Sequence, residues 1–244
     1  MIRFGVDIGG TGVKGALVDV TTGQLVSERI RVPTPHPATP DSVVPVVADL
    51  VRQASYDGPV GCAFPAVIKG GVAQTAANID PSWIGTSVES TVSGRLGGVA
   101  VTAINDADAA GVAEMRFGAG RDVRGLVVLL TVGTGIGSAV FVDGDLLPNT
   151  ELGHLEVDGH VAERRASETA REEQQLSHRH WAKRFNRYLE VLEALLWPDL
   201  LIIGGGVSKA PEKFMPFLES KATIVPATLA NTAGIIGAAL ASVK

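Results

Sequence analysis

The feature that most constrains this fold is a glycine cluster that recurs three times at the end of an apolar, strand-like run. The clusters are DIGGTGVKG (Asp7–Gly15), TVGTGIGSA (Thr131–Ala139) and IIGGGVS (Ile202–Ser208). A glycine turn at a strand end lets backbone N–H groups converge on an anion, because no Cβ blocks the approach. A tight hairpin explains any one such turn equally well. Three of them, two with threonine hydroxyls, predict a phosphate-rich ligand.

These clusters supply the candidate phosphate contacts. Lys14 adds a candidate point charge for phosphate, and the alternative interpretation is that it is an ordinary exposed surface lysine. The candidates are Gly9, Gly10, Thr11, Lys14, Thr131, Gly133, Thr134, Gly135, Gly204, Gly205 and Gly206. No cluster fits the G-x-x-x-x-G-K-[ST] pattern, and the first leads into a strand, which argues against a Rossmann dinucleotide turn.

Apolar runs alternate with helical segments along the chain, which predicts α/β layers. The N-terminal region is predicted to form strands at 2–8, 15–20 and 24–32, followed by a helix capped by Thr39 and ending at Ala54. A second helix is predicted at Asp106–Phe117.

From His160 to Leu196 the sequence is helical and charged. Its second helix carries an apolar stripe at spacings of three and four that predicts a core-facing side. The stripe consists of Trp181, Phe185, Tyr188, Leu192 and Leu195.

Composition excludes several classes of protein. The 244 residues are 45% hydrophobic and 19% charged, with a net charge of −5, so no basic field attracts nucleic acid. The single Cys62, in an apolar run, is expected in the core and rules out a disulfide within the chain. Without a signal-peptide pattern or an apolar run of about 20 residues, we expect a cytoplasmic protein with no membrane partner.

Several longer motifs occur in an order that resembles the ROK family of sugar kinases. They are DIGGTGVKGALVD, INDADAAGVAE, LTVGTGIGSAVFVDG, ELGHLEVDGH and IIGGGVS. Details such as PNTELGHLEVDGHVAERRAS are similar to the polyphosphate-dependent glucokinase branch, and the resemblance runs from Arg3 to Leu240. It implies a two-lobed α/β fold of the actin-like ATPase (ribonuclease H-like) type.

The resemblance also implies roles for individual residues. Asp106 is the expected general base for the sugar 6-hydroxyl, although locally it could cap the helix that it begins. Asp7 is expected to hold Mg²⁺, usually through water. The expected sugar contacts are Asn105, Glu151, His154, Glu163 and Asn78. Asp108 is expected only as an acidic residue of the first helical turn, and a Glu and a His on a polar loop are often simply solvated.

Two departures from the family pattern bear on the site. The zinc-binding cysteine cluster that many members carry after the histidine is replaced by DGHVAERRAS, so we predict no zinc. Ala66 stands where relatives commonly have glycine next to the sugar, which leaves the preferred hexose open.

A polyphosphate donor should need basic residues outside the immediate site and should bind less tightly as salt rises. The candidates, for which solvated surface is the alternative, are Arg164, Arg165, Lys183, Arg184 and Arg187. The branch resemblance favours polyphosphate, with ATP as a second donor.

The expected organisation is a small lobe of residues 1–104, completed by a C-terminal helix at 231–244, and a large lobe of residues 105–230, with glucose in the cleft. The resemblance to the family implies a homodimer. The alternatives are an ATP-dependent kinase for mannose, fructose or an N-acetylhexosamine, and a sugar-sensing regulator. Family repressors carry a DNA-binding domain before the first glycine cluster, whereas six residues precede Asp7 here, which favours the kinase.

Overall fold

The computed structural model describes residues 1–243, and the chain divides into two compact units. The first unit comprises Met1–Ala113 together with the C-terminal segment that begins at Thr232. The second unit is Glu114–Asn231.

The described residues form strands and helices in a mixed order. The strands are β1 (Ile2–Gly9), β2 (Gly12–Asp19), β3 (Gln24–Leu25), β4 (Ile30–Val32), β5 (Val60–Phe64), β6 (Ile68–Lys69), β7 (Val72–Ala73), β8 (Val101–Asn105), β9 (Leu126–Val132), β10 (Ile136–Val142), β11 (Asp145–Leu147), β12 (Glu156–Val157), β13 (His160–Val161), β14 (Leu200–Gly204) and β15 (Thr223–Pro226). The α-helices are α1 (Pro40–Gln53), α2 (Val88–Arg95), α3 (Asp106–Phe117), α4 (Glu163–Ala166), α5 (Glu168–Glu173), α6 (His178–Leu196) and α7 (Ala233–Ala241). Short 3₁₀ turns lie at Pro81–Trp83, Leu152–His154, Gly206–Lys209, Pro211–Lys213, Met215–Phe217 and Ala230–Thr232.

The first unit is built on a sheet with the order β3-β2-β1-β5-β8, in which β4 also pairs with β2. Strands β1 and β2 form an antiparallel hairpin, whereas β1, β5 and β8 run parallel. The first glycine cluster is therefore the turn of a hairpin, as predicted. Cys62 lies on β5 and is fully buried, which confirms its expected place in the core.

The single strand expected at 24–32 is wrong, because the structure breaks it into β3 and β4. Between them, Leu17 N donates to the side-chain Oγ of Ser27 at 3.0 Å, so a hydroxyl replaces a backbone carbonyl and the ladder is interrupted. Helix α1 begins as predicted, but the Thr39 hydroxyl does not cap it. That hydroxyl lies 3.2 Å from Ser42 Oγ instead.

Helix α7 packs directly on β1 and β5 through glycine positions. A Cβ at Gly5 would overlap the carbonyl oxygen of Ile235, and one at Gly61 would overlap that of Ala238. On the other side of α7, a Cβ at Gly237 would overlap the carbonyl of Ala109 in α3. The glycines thus bring two helices and the sheet to backbone contact distance.

The second unit is built on a sheet with the order β11-β10-β9-β14-β15. Helix α6 supplies most of its aromatic core: Trp181, Phe185, Tyr188 and Leu192 are fully buried. The prediction for Leu195 is wrong, since its side chain is 62% exposed. It lies in the last turn of α6, which ends in a left-handed residue with φ 51°, and there the stripe leaves the core.

The helix expected from His160 is also wrong at its start. His160 and Val161 form β13, which pairs with β12, and the first helical residue is Glu163. The segment is then divided at Ser167, whose backbone is extended and whose Oγ accepts from Ala170 N at 3.1 Å to cap α5. Throughout residues 1–243, no helix combines the length and apolar content needed to cross a membrane.

Candidate active site

The first glycine turn, which lies in unit 1, requires glycine because a larger side chain would clash, and not because its backbone is strained. Gly9 pairs with Gly12 across the hairpin, and Gly10 and Thr11 form its tip. A Cβ on Gly10 would lie 2.9 Å from the carbonyl oxygen of Asn78. The structure therefore places two sequence-predicted elements, the phosphate turn and the exposed Asn78, against each other.

Asp7 and Lys14, both predicted site residues, form an ion pair on this hairpin. Lys14 Nζ donates to Asp7 Oδ2 at 2.9 Å, and the side chains are 24% and 17% exposed. A Cβ on Gly234 of the C-terminal segment would lie 3.0 Å from Asp7 Cγ, so glycine at this position leaves space beside the Asp7 carboxylate.

The donor set around Asp7 fits a metal held with the substrate rather than by the protein alone. Within residues 1–243, no group of three or more His, Cys, Asp or Glu side chains is arranged to hold a metal ion. Asp7, whose Oδ2 accepts from Lys14, is a single, partly buried carboxylate, and such a donor suits Mg²⁺, which keeps several waters and takes its remaining ligands from phosphates.

Asn105 and Asp106 begin helix α3, and the structure separates their roles. Asn105 is buried; its Nδ2 donates to the Ala66 carbonyl at 3.0 Å, and its Oδ1 accepts from Ala107 N and Asp108 N at 2.9 and 3.0 Å. Asn105 therefore caps the helix. Asp106 Oδ1 accepts from Ala107 N at 2.9 Å, and its side chain is half-buried. The capping interpretation considered for Asp106 thus applies mainly to its neighbour.

The structure brings together the second and third glycine clusters, both in unit 2. Strands β9 and β14 run parallel, with Thr131 opposite Gly204. A Cβ on Gly206 would lie 3.9 Å from Gly133 Cα, so the two turns are adjacent. Gly205 has φ 80°, and a Cβ there would meet the Val132 backbone N at 2.5 Å. A non-glycine residue is excluded at this position by strain and by space together.

The second turn is closed on itself and tied to the following helix. Gly133 N donates to Gly135 O at 3.0 Å, and Thr169 N of α5 donates to Gly133 O at 3.2 Å. Thr134 is exposed at the tip of this turn. A hydroxyl beside the turn remains available to a bound anion.

The predicted sugar contacts of unit 2 form an acid–imidazole–acid cluster. His154 Nδ1 lies 3.9 Å from Glu151 Oε2, and His154 Nε2 lies 3.6 Å from Glu163 Oε1. The imidazole is half exposed. Burial raises the pKa of Glu151 above its ordinary value; His154 partly offsets the rise, and Glu163 adds to it. The cluster combines hydrogen-bond donors and acceptors that can sort the hydroxyls of a pyranose ring.

Strand β10 holds this cluster in place through contacts that sequence reasoning missed. Buried Ser138 Oγ donates to Thr150 O at 2.8 Å and accepts from Leu152 N at 3.0 Å, so it fixes the loop on both sides of Glu151. Glu163 Oε2 accepts from Ile136 N at 3.2 Å. No sequence signal marks Ser138, because its hydroxyl matters only once the loop folds over β10.

Arg31 was also missed by sequence reasoning, although it lies against the first glycine turn. Its Nη2 donates to the Thr11 carbonyl at 3.1 Å, and β4 places it opposite Lys14 of β2. The sequence gives no signal for it, because the register of β4 on β2 depends on the interruption at Ser27.

The predicted polyphosphate residues do not form one group. Arg187 contacts Asp158 at 3.2 Å and Glu190 at 2.6 Å, and Arg184 donates to Gln174 at 2.7 Å. Lys183 is exposed on α6. In contrast, Arg164 and Arg165 both line a cavity of about 610 Å³. Its lining is Glu156, Gly159, His160, Val161, Arg164 and Arg165.

Comparisons with known proteins show which proteins the chain is similar to. The model of the ROK family matches residues 3–170. The polyphosphate glucokinase of Mycobacterium tuberculosis (strain CDC 1551 / Oshkosh) is 53% identical over 240 residues, covering 98% of this chain and 91% of the relative.

Two solved structures are similar over nearly the whole chain. An inorganic polyphosphate/ATP-glucomannokinase from Arthrobacter sp. strain KM has a TM-score of 0.95 at 50% identity, covering 98% of this chain and 97% of that one. A ROK family glucokinase from Streptomyces griseus, in complex with glucose and AMPPNP, has a TM-score of 0.84 at 26% identity, covering 99% of each. The expected α/β fold of the actin-like ATPase type is confirmed, and the chain belongs to the ROK family.

Proposed function

We propose that this chain transfers the terminal phosphoryl group of inorganic polyphosphate, and of ATP, to the 6-hydroxyl of glucose. The observation that carries the proposal lies within unit 2. Glu163, a sugar-binding candidate, contacts the backbone N of Ile136, the residue that directly follows the second glycine turn. Groups suited to hydroxyls and groups suited to phosphates are therefore adjacent. The names of the Mycobacterium and Arthrobacter relatives support the choice of substrates.

In this proposal Asp106 accepts the proton of the 6-hydroxyl as that oxygen attacks the terminal phosphorus and the phosphoanhydride bond breaks. Asn105 holds the start of α3, and the second hydrogen of its Nδ2 contacts the sugar. Glu151, His154, Glu163 and Asn78 bind the remaining hydroxyls.

Phosphate binding is assigned to the three glycine turns. Kinases of this kind use a divalent metal associated with the donor, and we propose Mg²⁺ near Asp7. The metal would offset charge on the transferring phosphate. Lys14, which donates to Asp7, holds that carboxylate in place. The absence of zinc stays a prediction, as do the cytoplasmic location and the homodimer.

For the distal part of a polyphosphate chain, the structure favours Arg164 and Arg165 over the α6 residues. The two arginines line a cavity large enough for several phosphates, whereas Arg184 and Arg187 are engaged with other side chains. Lys183 remains a candidate further along the surface.

Mannose is a second candidate sugar, because the Arthrobacter structure of similar fold is that of a glucomannokinase. Ala66, whose carbonyl binds Asn105, places a methyl group where the family commonly has none. The breadth of sugar use is therefore best measured directly.

The test is hexose 6-phosphate formation with Mg²⁺, using nucleotide-free polyphosphate or ATP, with glucose or mannose, over a salt series. We expect turnover with both donors, and a steeper fall with salt for polyphosphate than for ATP. Arg165→Gln should raise the KM for long polyphosphate, while the matched variant Arg184→Gln, at an arginine that donates to Gln174, should not. Activity with ATP alone would overturn the polyphosphate assignment. The absence of activity with all four combinations of donor and sugar would overturn the assignment as a kinase.

A further inference from the structure

The two cations of the first glycine turn differ in how their charge is compensated. Lys14 is paired with Asp7 at 2.9 Å, so its charge is largely neutralised within the protein. Arg31 donates only to a neutral carbonyl, that of Thr11. In the part of the chain that the structure describes, no carboxylate forms an ion pair with Arg31. The excess positive charge of this turn therefore resides on Arg31.

The guanidinium is also seated on the turn by the shape of the backbone. A Cβ on Gly12 would lie 2.8 Å from Arg31 Nε and 3.0 Å from both Cζ and Nη2. Glycine at this position lets the planar group lie across the hairpin, while the bond from Nη2 to Thr11 O fixes its orientation. The N–H groups of Arg31 that are not used in that bond remain to donate to phosphate oxygens.

We propose that Arg31 binds a phosphate of the donor at the first glycine turn. This inference rests on the proposed function, because it names a further donor contact of the same reaction. The ligand chemistry is a phosphoanhydride chain, which polyphosphate and ATP share. Arg31 would supply the attraction for the donor, whereas Lys14 would act mainly on Asp7.

The decisive experiment compares Arg31→Gln with Arg29→Gln. Arg29 is exposed and lies two residues earlier in the same segment, so its substitution removes the same charge without touching the turn. We expect Arg31→Gln to raise the KM for polyphosphate about tenfold to a hundredfold, the range for losing a charged hydrogen bond. The slope of log(kcat/KM) against log salt should become shallower by a little under one. Arg29→Gln should change neither quantity.

Parallel measurements with ATP locate the contact. A loss with both donors places it on the terminal phosphates, and a loss with polyphosphate alone places it further along the chain; either result supports the proposal. Equal KM values and salt slopes for the two variants would overturn it. Failure of the proposed function is distinguishable, since the unmodified enzyme would then lack activity with polyphosphate.

A second variant tests the seating of the guanidinium. Gly12→Ala should raise the donor KM by displacing the guanidinium, and it should have little further effect when Arg31 is already Gln. Additive effects of the two substitutions would contradict the idea that Gly12 acts through Arg31. Circular dichroism and thermal melting confirm that each variant folds.

Discussion

Replacing Asp106 with Asn separates catalysis from folding, because its neighbour carries the helix cap. The amide keeps an oxygen where Oδ1 accepts from Ala107 N, and Asn105 still binds Ala107 N and Asp108 N. The loss of a charge in the first turn of α3 costs about 0.3–1 kcal/mol of unfolding free energy. For a chain of this size, that lowers Tm by no more than about 4 °C.

The catalytic loss should be much larger. Removal of a general base lowers kcat by about 10²–10⁴-fold, equivalent to roughly 3–5 kcal/mol of activation free energy. We would measure hexose 6-phosphate formation in a coupled assay, with thermal melts on the same samples. Asp41→Asn is the matched control, since Asp41 is an exposed acidic residue in the first turn of α1. It should melt slightly lower and keep full activity.

Asn105→Ala should differ from Asp106→Asn in losing a large part of its stability. It removes the cap and leaves the buried Ala66 carbonyl without this partner, for a loss of about 2–4 kcal/mol of unfolding free energy. A kcat for Asp106→Asn within tenfold of the unmodified enzyme would refute its role as base. A melting loss equal to that of Asn105→Ala would instead make Asp106 part of the cap.

Two further predictions concern packing and pH. Gly237→Ala should destabilise the protein by about 1–3 kcal/mol in urea unfolding, because its Cβ would overlap the Ala109 carbonyl. The control Gly94→Ala, in an open position of α2, should stabilise the protein by up to about 1 kcal/mol. Equal effects of the two substitutions would contradict this packing. Because burial raises the pKa of Glu151, glucose affinity should fall as the pH drops through that raised value. The same protonation should increase the unfolding free energy, since the folded state binds the proton more tightly than the unfolded state does. Profiles of KM and of stability from about pH 3 to about pH 7, a range that includes the ordinary pKa of a glutamate side chain and values above it, should both flatten in Glu151→Gln. An unchanged profile would mean that another group titrates.

The local pattern of the sequence was enough to predict the elements that carry the glycine turns. Each turn follows an apolar strand, and the hairpin form of the first follows from the strand after it. The buried stripe of α6 was predictable from its spacing up to Leu192. Leu195 was not, because the place where a helix leaves its core depends on the extent of the sheet below it.

The contacts that complete the site depend on pairings distant in sequence. Arg31 reaches the first turn through the register of β4, and Ser138 reaches the Glu151 loop only after that loop folds back on β10. The division of labour between Asn105 and Asp106 was also hidden. Both are plausible N-cap residues by type, and only the backbone geometry decides which side chain turns inward.

The packing of α7 has a consequence for how the protein is made. Strands β1 and β5 leave the ribosome before the helix whose carbonyls fit against Gly5 and Gly61. All of unit 2 lies between them in the chain, so that unit can fold first, while unit 1 must wait for a contact of high sequence separation. In the interval the glycine-lined face of β1 and β5 is uncovered. Folding of unit 1 is therefore completed only after α7 has been synthesised.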